Sequence, residues 1–284
     1  MFRTLVQRRR LELIGLAVVI VAIIVYAGTG IVYAGTRIAI ADRTINAVVS
    51  HQNTLNATFT DINTQLGTLN SDPTFKPQDM VALVDKSVAS SQLAAATINA
   101  DDASLREASS GLDENRWLSL VGRANLDREA TRIGHARNAL AAARTVAGDK
   151  VLEGRFWHSV YTGLGDLATL NGQISSGDLT SARTTLGTMT TDIDQAATQS
   201  SAPPLPPELG DLMKDLQAFV GDYGKQLEAQ IAGDSAGVAT YQASVQADLA
   251  KIGQYDVGAI GKKIDAFYKP LIDRFNAEIA TATA

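Results

Sequence analysis

The chain has 284 residues, 45% of them apolar and 6% aromatic, with a net charge of −5 at neutral pH. That is enough apolar material for one large core or two smaller ones. It has no cysteine, which excludes disulfides, thiolate metal sites and cysteine nucleophiles.

Charge is unevenly placed. Residues 1–36 carry Arg3, Arg8, Arg9 and Arg10 against one acid, Glu12, leaving 21 basic and 29 acidic groups and a net of −8 in residues 37–284. Such an acidic body offers no clustered positive charge for phosphates, so no nucleic-acid partner is expected.

Residues 1–12 read as a basic N-terminus on the cytoplasmic side. The next 24 positions, 13–36, contain no charged residue. A helix of that length is about 36 Å long, against about 30 Å of hydrocarbon, so residues 13–36 are expected to form a transmembrane signal anchor in a lipid bilayer. Arg8–Arg10 flank it, which keeps the N-terminus inside and exports the rest. "AIA" at Ala39–Ala41 has cleavage-site spacing, but the apolar run is longer than a signal-peptide core, and an uncleaved anchor is favoured. No second long apolar run follows, so one crossing is expected.

The end of that run repeats "VYAGT" at Val25–Thr29 and Val32–Thr36. Seven residues are two turns, so Tyr26 lies nearly above Tyr33 and Gly28 nearly above Gly35. Gly30 and Ala34 have small-xxx-small spacing. The second tyrosine, Tyr33, fits the aromatic belt at the outer membrane interface. Gly28, Gly30, Ala34 and Gly35 are the candidate surface for packing of membrane helices.

From Ile38 the apolar residues fall into a 3-4 seam: Ile38, Ala41, Ile45, Val48, Gln52, Leu55, Phe59, Ile62, Leu66 and Leu69. One stalk helix to about Asn70 is expected, packed within the chain or between copies. Pro73 and Pro77 break it. A second helix is read from Gln78 to about Ser109, stopped by Gly111, and a third from Leu112 to about Ala147. Similar lengths and short connections make residues 37–148 an antiparallel three-helix bundle.

Three "GD" dipeptides follow, at 148–149, 177–178 and 233–234. Glycine ends a helix in the left-handed conformation and aspartate caps the next. Each is therefore read as a turn, giving helices at about 150–175, 178–199, 207–232, 235–253 and 256–281. "SSAPPLPPE" at 200–208 is a stiff proline-rich crossover; recognition as a proline ligand is the weaker alternative. Residues 149–284 thus form a second helical bundle. The fold class is all-α: a transmembrane helix continuing into an extracytoplasmic antiparallel bundle, two bundles in series.

The chemistry is sparse. His51, His135 and His158 stand in no metal-ligand spacing, and acid pairs such as Asp101/Asp102 and Asp192/Asp194 read as solvated. No catalytic or cofactor motif occurs, so an enzyme is not expected. Phe156, Trp157, His158 and Tyr161 are the candidate ligand pocket. The expected role is a membrane-anchored, non-catalytic tether, scaffold or interaction module with a protein partner or self-association. The alternative is a ligand-binding or sensory ectodomain working with a separate membrane partner.

Overall fold

The computed structural model describes residues 25–54, 76–114 and 122–284, with the isolated positions 23, 57, 64 and 117. Every regular element among them is helical. They are α1 (25–54), α2 (Pro77–Asp113), α3 (Arg123–Ser175), α4 (Leu179–Gln199), α5 (Pro207–Ala232), α6 (Ser235–Ile252) and α7 (Val257–Thr283). Among the described residues no helix is long and apolar enough to cross a membrane. Most of the expected span, residues 13–22 and 24, lies outside the described residues, as does most of the stalk beyond Thr54.

The chain forms two compact units, each discontinuous in sequence. Residues 1–52, 98–141 and 274–284 belong to unit 1, and residues 53–97 and 142–273 to unit 2. The serial division at 148/149 expected from the sequence does not match this, because no turn occurs there. α3 runs through Ala147–Asp149 as one helix of 53 residues.

In unit 1, α1 packs against segments of its own chain. Its inward face is the expected seam: Ala41, Ile45, Val48 and Gln52 are buried. α2 carries a second seam through Ile98, Asp101, Leu105, Ala108 and Leu112. Tyr33 and Arg37 bond to Glu114, while Gln52 bonds to Asp101, so α1 and α2 run antiparallel. Gly111 was expected to stop α2, but the helix runs through it to Asp113. It stays helical because α1 lies against it; an added Cβ would sit 3.1 Å from Arg37 Nη1.

Unit 1 is closed by charge. Arg132 of α3 donates to both carboxylate oxygens of Glu129 at 3.0 and 2.9 Å, to Asp42 of α1 at 3.2 Å and to the carbonyl of Ala282 in α7 at 2.7 Å. Asp102 accepts from Arg106 and Arg137. Asp101 and Asp102 are only 5% and 6% exposed and are paired, not solvated as their sequence pattern implies.

Unit 2 has the larger apolar core. Phe156, Val160 and Leu170 of α3 share it with Leu186, Met189 and Ile193 of α4, with Met213, Phe219 and Leu227 of α5, and with Ile260, Ile264 and Tyr268 of α7. Gly154 lets α2 approach α3: a Cβ there would fall 2.4 Å from Val88 Cγ2. The crossover at 200–206 packs partly inward: Pro204, Leu205 and Pro206 are buried, while Pro203 and Pro207 are exposed. Pro207 begins α5 as expected, where its missing N–H costs nothing. Pro270 lies inside α7, which continues to Thr283.

Two of the three "GD" pairs are the same turn. Gly177 and Gly233 have φ of 80° and 71°. Asp178 N–H reaches Gln173 O, and Asp234 N–H reaches Ala229 O, each at 2.9 Å. The aspartate side chains then accept from Ser181 and Gly237 N–H. This is a helix stop and a helix start in two residues. Gly148 lies mid-helix, with nothing within 4 Å of an added Cβ. Opposite signs are therefore expected from one substitution. Gly148→Ala should stabilise by about 0.5–1 kcal/mol, and Gly177→Ala should destabilise by about 1–2 kcal/mol. Urea unfolding of the two variants measures both.

Candidate functional site

The aromatic run 156–161 lies on α3 in unit 2. Helical spacing sends Phe156 and Val160 into the core. Trp157 meets Phe156 edge-on at 4.9 Å between centroids, and Tyr161 stacks on Trp157 at 5.8 Å and 28°. Burial raises the pKa of the Tyr161 hydroxyl. The three rings thus come together as a packed cluster on the core. His158 points elsewhere: its Nδ1 lies 2.7 Å from Asp85 Oδ1 of α2.

The other two histidines are used in the same way. His51 Nδ1 is 2.9 Å from Asp101, and His135 Nδ1 is 2.7 Å from Glu278. Each imidazole joins two helices through one carboxylate. Glu278 is held below the usual carboxylate range, chiefly by its hydrogen bond with His135. Among the described residues no three histidine or carboxylate side chains gather to hold a metal.

A feature the sequence did not reveal lies beside the aromatic cluster. Asp166 of α3 and Asp192 of α4 each have one buried carboxylate oxygen, Oδ2, without a hydrogen-bond partner. Burial raises both pKa values; the charge of Asp192 raises Asp166 further, and His158 partly offsets the rise on Asp192. Gly163 permits this approach, since an added Cβ would lie 3.1 Å from Ile193 Cδ1 and 3.8 Å from Asp192 Cβ. Desolvation therefore disfavours the charged form of each carboxylate. Sequence reasoning paired Asp192 with Asp194, two positions away. That spacing diverges on a helix, and Asp194 accepts from Gln217 of α5 instead. The true neighbour comes from another helix, and no linear spacing marks it.

The small-residue stretch of α1 divides between two faces. Gly30 and Ala34 are buried, and a Cβ on Gly122 would lie 2.7 Å from that of Ala34. This pair therefore packs within unit 1. Gly28 and Gly35 are exposed, with nothing among the described residues within 4 Å of an added Cβ. Beside them runs an open groove of about 530 Å³ lined by Gly28, Thr29, Val32, Tyr33, Thr36 and Arg37. The repeated tyrosines hold the α2–α3 connection: Tyr26 OH donates to the carbonyl of Trp117, and Tyr33 OH to that of Glu114 at 2.7 Å. Arg37 stands over the Tyr33 ring and pairs with Glu114 at 2.8 Å. No protein-family model, curated protein or solved structure matches this chain.

Proposed function

We propose that this protein is a single-pass, membrane-anchored helical bundle whose body stands outside the membrane as a non-catalytic tether, scaffold or interaction module. The observation that carries this reading is continuity. The uncharged run 13–36 overlaps α1, and α1 continues without a break from residue 25 to residue 54, its residues up to Gln52 belonging to unit 1. An anchor joined in this way transmits position and force without a flexible linker. Arg8–Arg10 sit on the cytoplasmic side by the positive-inside rule. The body, at −8, is repelled from anionic headgroups except near its anchor. A protein partner or a second copy would then be held at the outer face.

In an expression host the full chain is expected in the membrane fraction. It should resist high salt and carbonate, and be released only by detergent. Protease added outside spheroplasts should remove a C-terminal tag. Recovery as soluble protein without detergent, or a shielded tag, rules the reading out.

A further inference from the structure

We propose that the end of unit 1 built from Tyr26, Tyr33 and Trp117 is seated in the outer leaflet, so that the body contacts lipid through Trp117 as well as through its anchor. This rests on the anchoring reading above and adds to it a second contact, far from the anchor in sequence.

Four observations converge. First, Trp117 is 66% exposed, although a tryptophan normally buries most of its area. Second, α1 carries exposed apolar side chains within the expected span: Val25 and Val32 are 57% and 70% exposed. Gly28 and Gly35 lie on the same side as Val25 and Val32, with nothing among the described residues within 4 Å of an added Cβ. Third, Tyr26 holds the backbone of Trp117, so its level along α1 is known. Tyr33 lies seven residues later, about 10 Å along the axis. Fourth, the charged pair Arg37–Glu114 stands beyond Tyr33, on the side away from the anchor.

About 30 Å of hydrocarbon takes roughly 20 helical residues. Counted from the first uncharged position after Glu12, that reaches the neighbourhood of Tyr33. Tyr33 then marks the outer boundary, and the Arg37–Glu114 pair stays among water and headgroups. Trp117, held at the level of Tyr26, lies on the lipid side of that boundary. Tilt of the helix makes it shallower. Tyrosine and tryptophan are the side chains that gather at this depth, because their rings are apolar and their O–H and N–H groups are polar. The outer edge of the span is thus Tyr33 rather than Arg37. The groove along Gly28 and Val32 faces lipid.

The test uses the full chain in phosphatidylcholine vesicles, with or without bromine on the acyl chains. The protein has two tryptophans. Trp157→Phe leaves Trp117 as the only reporter, and Trp117→Phe leaves Trp157. Emission from Trp117 should be blue-shifted and strongly reduced by bromolipid. Emission from Trp157, which packs on the core of unit 2, should be the same in both vesicles. Because the chain has no cysteine, Trp117→Cys carrying an environment-sensitive dye gives a second readout that leaves Trp157 intact. Its emission should move to the blue on reconstitution. Flotation of the same samples separates the two ideas. Protein that floats with vesicles while position 117 is unquenched and unshifted overturns the inference and leaves the anchor standing. The same result with position 117 shielded from aqueous quencher means protein covers it, and also overturns the inference. Protein that does not float overturns both.

Discussion

Truncating Phe156 to alanine is expected to lower the unfolding free energy by about 3–5 kcal/mol. The ring is fully buried, and Trp157 packs edge-on against it. Removing it takes away its transfer free energy and leaves a void that helices from four parts of the chain cannot easily close. Phe156→Leu keeps most of the volume and should cost about 1 kcal/mol. Chemical denaturation followed by circular dichroism reads both values. A loss below about 1 kcal/mol for the alanine variant would contradict the packing described for unit 2. The pair also bears on the aromatic run as a ligand pocket. A ring that supports the core lowers stability when removed, with or without a ligand.

Arg132→Ala should produce the other large effect, a loss of about 3 kcal/mol, for a different reason. Glu129 is 6% exposed, and Arg132 is the cation it faces at 2.9 Å. Without the guanidinium, a buried carboxylate remains and the carbonyl of Ala282 loses its donor. Arg132→Lys should rescue only part of the loss, because an ammonium cannot reproduce the forked contact to Glu129 and Asp42. Asp42→Asn should cost under about 1 kcal/mol, since that carboxylate is half exposed. The double variant Arg132→Met with Glu129→Leu should recover most of the stability, because it removes both buried charges together. A double-mutant cycle in urea checks all of this. Equal losses for Arg132→Ala and the double variant would mean that the ion pair is not what holds α3 to α1 and α7.

The elements differ in how far they could be read. α4, α5, α6 and α7 were legible nearly to the residue. Their ends are local: Gly177 and Gly233 supply a left-handed residue, Asp178 and Asp234 supply caps, and Pro207 supplies a first turn. The seam of α1 was legible because burial follows the heptad there, Gln52 included. α3 was not legible. "AGD" at 147–149 has the same letters as a real turn, yet Ala147 is buried and the helix passes through. A mid-helix glycine costs about 1 kcal/mol, which packing along a helix this long can offset. Gly111 misled in the same way, since its role is to make room for Arg37.

The amino-acid sequence by itself determined the helical class, most helix ends after Ser175, the inward face of α1 and the uncharged run that motivates the anchor. These depend on propensities, caps and periodicities that act within a few residues. Only the tertiary structure decided which acids are buried and which cation meets each of them. It also decided that α2, α3 and α7 serve two units, and that Tyr26 and Tyr33 hold the connection bearing Trp117. Such pairings join residues dozens of positions apart. Their free energy comes from desolvation and close packing between helices, and no local pattern of letters records those contacts.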